Sequence, residues 1–79
     1  MGDRELLVAL HPELRRFAAV VRPPGVDPDD LVQEAMVRAL RRGSISSLDE
    51  PRAYLRRTVL NVALDQRRRS GRHDRALRR

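Results

Sequence analysis

The chain has 79 residues, no cysteine, seventeen basic side chains against eleven acidic ones, and a net charge of +6. That length allows one small domain burying only about 60 % of its unfolded surface, and the absence of cysteine excludes a disulfide framework or a thiolate metal site. All seventeen basic residues are arginine, which forks onto phosphates and stacks on bases, so the composition favours a nucleic-acid partner, although GC-rich codon usage produces the same bias.

No apolar run approaches the roughly eighteen residues of a membrane span, and the chain opens Gly2-Asp3-Arg4-Glu5 rather than with a basic signal region. A soluble cytoplasmic protein without a membrane partner is the simplest expectation.

From residue 3 to residue 22, Leu7, Leu10, Leu14, Phe17 and Val21 recur at steps of three and four, drawing a helical stripe that Leu6 and Ala18 widen. Pro12 lies inside this stripe, lacks an N–H and crowds the carbonyl of Val8, so a kink or brief restart near His11 is expected. Arg22-Pro23-Pro24-Gly25 cannot continue a helix, and the short link to Asp27 turns the next helix back antiparallel to the first.

The run DPDDLVQEAMVRALRR, Asp27 to Arg42, predicts a well-bounded helix. Asp27 caps it, Pro28 suits its first position, Asp29 and Asp30 favour the positive end of its dipole, Arg41 and Arg42 the negative end, and Gly43 stops it. Leu31, Val32, Ala35, Met36 and Ala39 cluster on one side, whereas Asp30, Gln33, Glu34 and Arg41 line the other, with Val37 in their midst. The pattern admits two readings of that second side: a solvated face with one stray apolar group, or a contact stripe for a basic or mixed partner helix.

Residues 43–50, GSISSLDE, are polar and turn-prone, with Ser47 and Glu50 in capping-box spacing and Asp49 as an alternative cap before Pro51. In the third helix that follows, Leu55, Thr58, Val59 and Val62 face the core with Ala63 at the margin. Tyr54, Arg57, Asn61, Leu64 and Arg68 share another face. After Arg69 the helix-stopping Gly71 and low apolar content predict a basic tail or interdomain linker, which sets a helical domain at 1–70 and the tail at 71–79.

No catalytic, metal or cofactor site is expected. His11 precedes a proline, His73 falls in the tail, and neither has a nucleophile or metal-spaced ligand beside it. Capping and dipole effects account for Asp29, Asp30 and Glu34. On the third helix, a tyrosine, an asparagine and several arginines meet the needs of single-strand recognition, namely stacking, base-edge hydrogen bonding and phosphate neutralisation. The same residues also describe a plain solvated arginine face.

DPDDLVQEAMVRALRR resembles region 2 of bacterial sigma factors, specifically the extracytoplasmic-function (ECF) group, whose D-L-V-Q-E helix grips the clamp helices of the RNA polymerase beta-prime subunit. PRAYLRRTVLNVALDQRRR, Pro51 to Arg69, resembles the family's next helix, with Tyr54 where tryptophan is usual and an N-x-A-x-D-x-x-R-R ending at Asn61, Ala63, Asp65, Arg68 and Arg69. The resemblance implies an all-α, compact three-helix domain, first two helices antiparallel, acting in transcription initiation. It implies core polymerase as a partner of Asp30, Gln33, Glu34, Val37 and Arg41. It further implies the non-template strand of the promoter −10 element as a partner of the loop residues Ser44, Ile45, Ser46 and Ser47 and of Tyr54, Arg57, Asn61 and Arg68. An anti-sigma factor is a further partner the family allows.

Three departures stand out: Tyr54 for tryptophan, Pro51 where an aromatic often precedes the helix, and no aromatic in the loop. The chain also stops before region 4, the family's reader of the −35 element, so an isolated region 2 is expected, cut from a longer protein by design or by proteolysis. Two other classes fit the bare composition: a small helical adaptor for protein partners, and a helical protein that binds nucleic acid without regard to sequence.

Overall fold

The computed structural model describes residues 2–77, with side-chain surroundings through residue 71. Three helices and no strand occur among the described residues: α1, Asp3–Val21; α2, Pro28–Arg42; and α3, Pro51–Leu77. This is the all-α three-helix architecture expected. None of these helices is long and apolar enough to cross a membrane.

α2 begins and ends as its sequence dictates. The Asp27 carboxylate accepts from the Asp29 N–H at 2.8 Å, satisfying one of the donors left open in a first helical turn, and Pro28 follows. At the other end Gly43, at φ 138°, leaves the helix in a conformation that a side chain would strain.

α1 departs from expectation in running unbroken through Pro12. Pro12 and Val8 are both exposed, so the carbonyl deprived of its partner lies on the solvent side, where water can replace the missing bond. α3 departs at its far end, since it continues through Gly71 to Leu77 rather than stopping. A helical glycine costs only about 1 kcal/mol relative to alanine and terminates a helix chiefly when it swings to positive φ, which Gly71 does not. Of the expected basic tail, the side chains of residues 72–77 and the whole of residues 78–79 lie outside the described residues.

The start of α3 uses neither expected cap. The Glu50 carbonyl accepts from the Tyr54 N–H at 3.1 Å and Pro51 opens the helix, while the Ser47 hydroxyl turns back to donate to the Ser44 carbonyl at 2.9 Å.

Leu10, Leu14 and Ala18 of α1, Leu31, Val32, Ala35 and Ala39 of α2, and Leu55, Val59, Val62 and Ala63 of α3 fill one core. Their spacing brings each helix's inner face to the other two. Phe17, Val21 and Met36, read as core from the sequence, are half-buried at its edge, and so is Thr58, whose hydroxyl donates to the Tyr54 carbonyl. α2 returns antiparallel to α1, with Arg15 near the end of α1 paired to Asp29 near the start of α2 at 2.8 Å. α3 runs back alongside α1, from Arg52 beside Glu13 to Arg67, whose guanidinium donates to the Val21 and Arg22 carbonyls. Those two bonds satisfy backbone acceptors at the end of α1 from another helix.

Candidate functional site

The polar face of α2 lies at the surface. Asp30, Gln33, Glu34 and Val37 line one wall of a groove of about 480 Å³, and Val62, Gln66 and Arg69 of α3 line the other. Val37 is 38 % exposed, so its isopropyl group is accessible. Arg41 is exposed one turn beyond Val37 and does not line this groove.

Arg38, which sequence reasoning passed over, joins the two walls. Its Nη1 donates to Asp65 Oδ2 at 2.8 Å and its Nε to Glu34 Oε1 at 3.3 Å. The Asp65 hydrogen bond, more than any other influence, raises the affinity of the Arg38 guanidinium for its proton. In turn, the Arg38 bond holds the Asp65 carboxyl below its ordinary 3.8, helped by the positive charges of Arg68 and Arg69. The one available signal was the i, i+4 spacing of Glu34 and Arg38, because the partner at Asp65 lies on another helix.

The loop between α2 and α3 is fastened to the start of α1. Asp3 Oδ1 accepts from the Ser46 N–H at 2.8 Å and from the Ser44 hydroxyl at 3.1 Å, and the Ser44 and Ser46 hydroxyls are 3.1 Å apart. The Ser46 N–H is the main cause of an Asp3 carboxyl acidity stronger than usual, with the Ser46 and Ser44 side chains adding to it. Three candidate base-contacting serines are thus engaged within the protein, Ser47 through its bond to Ser44. Ile45 needs a correction. Its side chain is 1 % exposed and belongs to the core cluster, so it anchors the loop and offers no surface to a base.

On α3, Tyr54, Arg57 and Asn61 do come together. They line a cleft of about 200 Å³ closed by Arg38 and Arg42 of α2 and by Thr58. Arg68 is not part of it. That side chain is exposed, 3.8 Å from Asp65 Oδ1. Tyr54 and Arg42 also wall a second cavity of about 360 Å³ under the loop, where Ser44, Ser47 and Leu48 stand. The tyrosine therefore sits between loop and helix face, half-buried against the core.

A further groove of about 610 Å³, nearly all apolar, separates Leu7 and Val8 of α1 from Met36 and Leu40 of α2. Leu40 is 45 % exposed, and neither it nor Val8 figured among the sequence candidates. Arg56 stacks over Phe17 with its guanidinium carbon 4.8 Å from the ring centre, which covers that aromatic at the α1–α3 seam. Among the described residues no group of histidine or carboxylate side chains is placed to hold a metal ion.

A model of the Sigma-70 region 2 family matches residues 6–73, a span that takes in almost all of the three helices and the whole of both connections. No curated protein and no solved structure matches the chain.

Proposed function

The chain belongs to the sigma-70 region 2 family, and from that membership we propose that it is an ECF-type region 2 that grips the polymerase clamp and reads the promoter −10 element. The family is one of non-catalytic transcription-initiation factors whose members meet core RNA polymerase and promoter DNA. α2 supplies the polymerase contact, through Asp30, Gln33, Glu34, Val37 and Arg41. The DNA contact falls to Tyr54, Arg57 and Asn61 in the α3 cleft, to Arg68 outside it, and to Ser44, Ser46 and Ser47 of the loop between α2 and α3.

One observation carries the polymerase assignment. Asp30, Gln33, Glu34 and Val37 form an exposed row along α2 that the core does not need, with carboxylates and an amide around an accessible apolar group. Such a row suits a helix of mixed charge, since its polar members set orientation and Val37 supplies the desolvated centre. The apolar groove beside Leu40 enlarges the area α2 can offer.

The −10 assignment is supported by the convergence of an aromatic ring, an amide and guanidinium groups at one cleft. A stacking ring and phosphate-binding cations give single-strand affinity, and the amide adds a base-edge reader. Residues 1–70 act as the region 2 domain, and residues 71–79, whose first part continues α3, serve as a basic tail or the start of an interdomain linker. The protein works in the cytoplasm, and an anti-sigma factor is a further partner the family allows.

The decisive experiment is a pull-down of core RNA polymerase, and separately of the isolated beta-prime clamp helices, with the 79-residue chain. Capture of both by the wild type and loss of both on Gln33→Arg supports the reading. Failure to capture either leaves the adaptor alternative in place.

A further inference from the structure

We propose that Asp3 orders the serine hydroxyls of the loop between α2 and α3 into a one-way donor chain, so that the loop's side chains offer a strand only acceptors and favour bases with an exocyclic amine. This inference rests on the DNA reading of that loop and deepens it by naming the residue that sets its base preference. Asp3 opens α1, lies 41 positions before Ser44, and is absent from the α3 cleft.

A serine hydroxyl holds one hydrogen and two lone pairs, and an ionised carboxylate only accepts. Asp3 Oδ1 is 3.1 Å from the Ser44 hydroxyl and 2.8 Å from the Ser46 nitrogen, so it receives the single Ser44 hydrogen together with the Ser46 N–H. With the Ser46 N–H beside it the carboxyl is more acidic than usual and stays ionised at neutral pH. Ser44 then has no hydrogen left for Ser46, which must be the donor across the 3.1 Å between their oxygens. The Ser47 hydrogen goes to the Ser44 carbonyl at 2.9 Å. All three hydroxyl hydrogens are therefore spent inside the protein, and the unspent lone pairs of three exposed residues remain for a ligand.

Two structural roles account for part of this arrangement. A carboxylate in a first helical turn is favoured by the helix dipole, and the bonds to Ser44 and Ser46 tie the loop down beside the buried Ile45. Neither role requires a direction along the serines. The direction arises because Asp3 is an acceptor with no hydrogen to give. The amines of adenine and cytosine are donors where guanine and thymine present carbonyl oxygens. Serine oxygens that only accept pair with the first two and set lone pair against lone pair on the others. Without Asp3 the Ser44 hydrogen is free to turn to Ser46 or outward, each hydroxyl donates as readily as it accepts, and the preference fades.

The test measures binding of labelled −10 non-template oligonucleotides by fluorescence anisotropy in the presence of core polymerase. Each position is varied through the four bases, and adenine is also exchanged for purine and cytosine for 2-pyrimidinone, which deletes only the amine. At the position that meets the loop, wild type should bind adenine or cytosine about fivefold tighter than thymine, and deleting the amine should lose the same factor. Asp3→Ala and Ser44→Ala should each abolish most of that difference. Asp3→Asn, which keeps an acceptor oxygen in the same place, should preserve it. Because both residues act through one chain, the Asp3→Ala, Ser44→Ala double variant should relax the preference no further than either single variant.

A wild type indifferent to the amine at every position, while Asn61→Ala still alters strand preference, would overturn the donor chain and leave the DNA reading standing. An amine preference that survives in both Asp3→Ala and Ser44→Ala would place its source elsewhere and overturn the chain as well. No strand binding by the wild type overturns both. Ser44→Ala replaces an exposed side chain, so its thermal melt should stay near wild type, which separates a lost preference from a lost fold even where Asp3→Ala loosens the loop.

Discussion

Arg38 Nη1 meets Asp65 Oδ2 across 2.8 Å and so ties the outer face of α2 to α3. The pair lies at the boundary of two concavities, one lined by Asp30, Gln33 and Val37, the other by Tyr54, Arg57 and Asn61, and Arg38 borders both. Its side chains are 32 % and 37 % exposed, so water screens the attraction and the pair does more for geometry than for stability.

Asp65 and Asp3 make the fold acid-sensitive in a defined direction. Both carboxyls are held below their ordinary 3.8, Asp65 by Arg38 and Asp3 by the Ser46 N–H. Below that value the unfolded chain binds protons that the folded chain still refuses, so stability rises with pH through this window. The contribution of the two groups is complete above pH 3.8 and is lost as pH falls through their folded values. Thermal melts of wild type and of the Asp3→Asn, Asp65→Asn double variant should diverge near neutral pH and converge in strong acid. Parallel curves at every pH would deny both contacts.

Ile45 is a test of what the loop is for. Fully buried, it should cost about 2 to 5 kcal/mol on replacement by alanine, a large part of what so small a domain possesses. Met36→Ala, at a half-buried position, should cost about 1 kcal/mol. Urea unfolding followed by circular dichroism measures both. An Ile45→Ala variant as stable as wild type would remove the residue from the core.

Local signals were legible where the responsible residues lie within one turn of each other. Asp27, Pro28 and Gly43 bound α2 by chemistry that acts over two to four positions, and the Leu55, Val59 and Val62 spacing marks its own buried face. The contacts that shape the candidate site span far more chain. Asp3 reaches residues 44 and 46, Arg38 reaches residue 65, and Arg67 reaches residues 21 and 22. No periodicity encodes such pairings. Ile45 was obscured by its setting, flanked by serines in a segment with no helical phase to show that it, and not Leu48, points inward. Gly71 does not end α3 because a helical glycine costs only about 1 kcal/mol, too little to stop a helix without a turn to positive φ.

Val37 separates binding from folding. At 38 % exposure, replacement by arginine should shift stability by no more than about 0.5 kcal/mol. Binding to the isolated clamp helices, followed by surface plasmon resonance, should fall at least tenfold if Val37 is the desolvated centre of the interface, since a buried unmatched charge costs more than about 1.4 kcal/mol. Clamp binding at wild-type strength would move the polymerase contact off this stripe.

Asn61 is the residue that tests the proposed sequence reading by α3. Its amide has both donor and acceptor groups, it is exposed, and it lines the cleft beside Tyr54 and Arg57. An asparagine so placed can pair with a base edge, whereas the neighbouring arginines meet phosphates that are the same at every position. Asn61→Ala should therefore reduce the preference for a cognate −10 strand over a scrambled one, by about 1 to 3 kcal/mol for one base contact. The salt slope should stay unchanged, because no phosphate contact is lost. Arg68→Ala should do the opposite, weakening both strands and flattening the slope by about 0.7. The comparison belongs in the presence of core polymerase, where the strands are held apart. Equal weakening of cognate and scrambled strands by Asn61→Ala would reduce α3 to a sequence-blind arginine face.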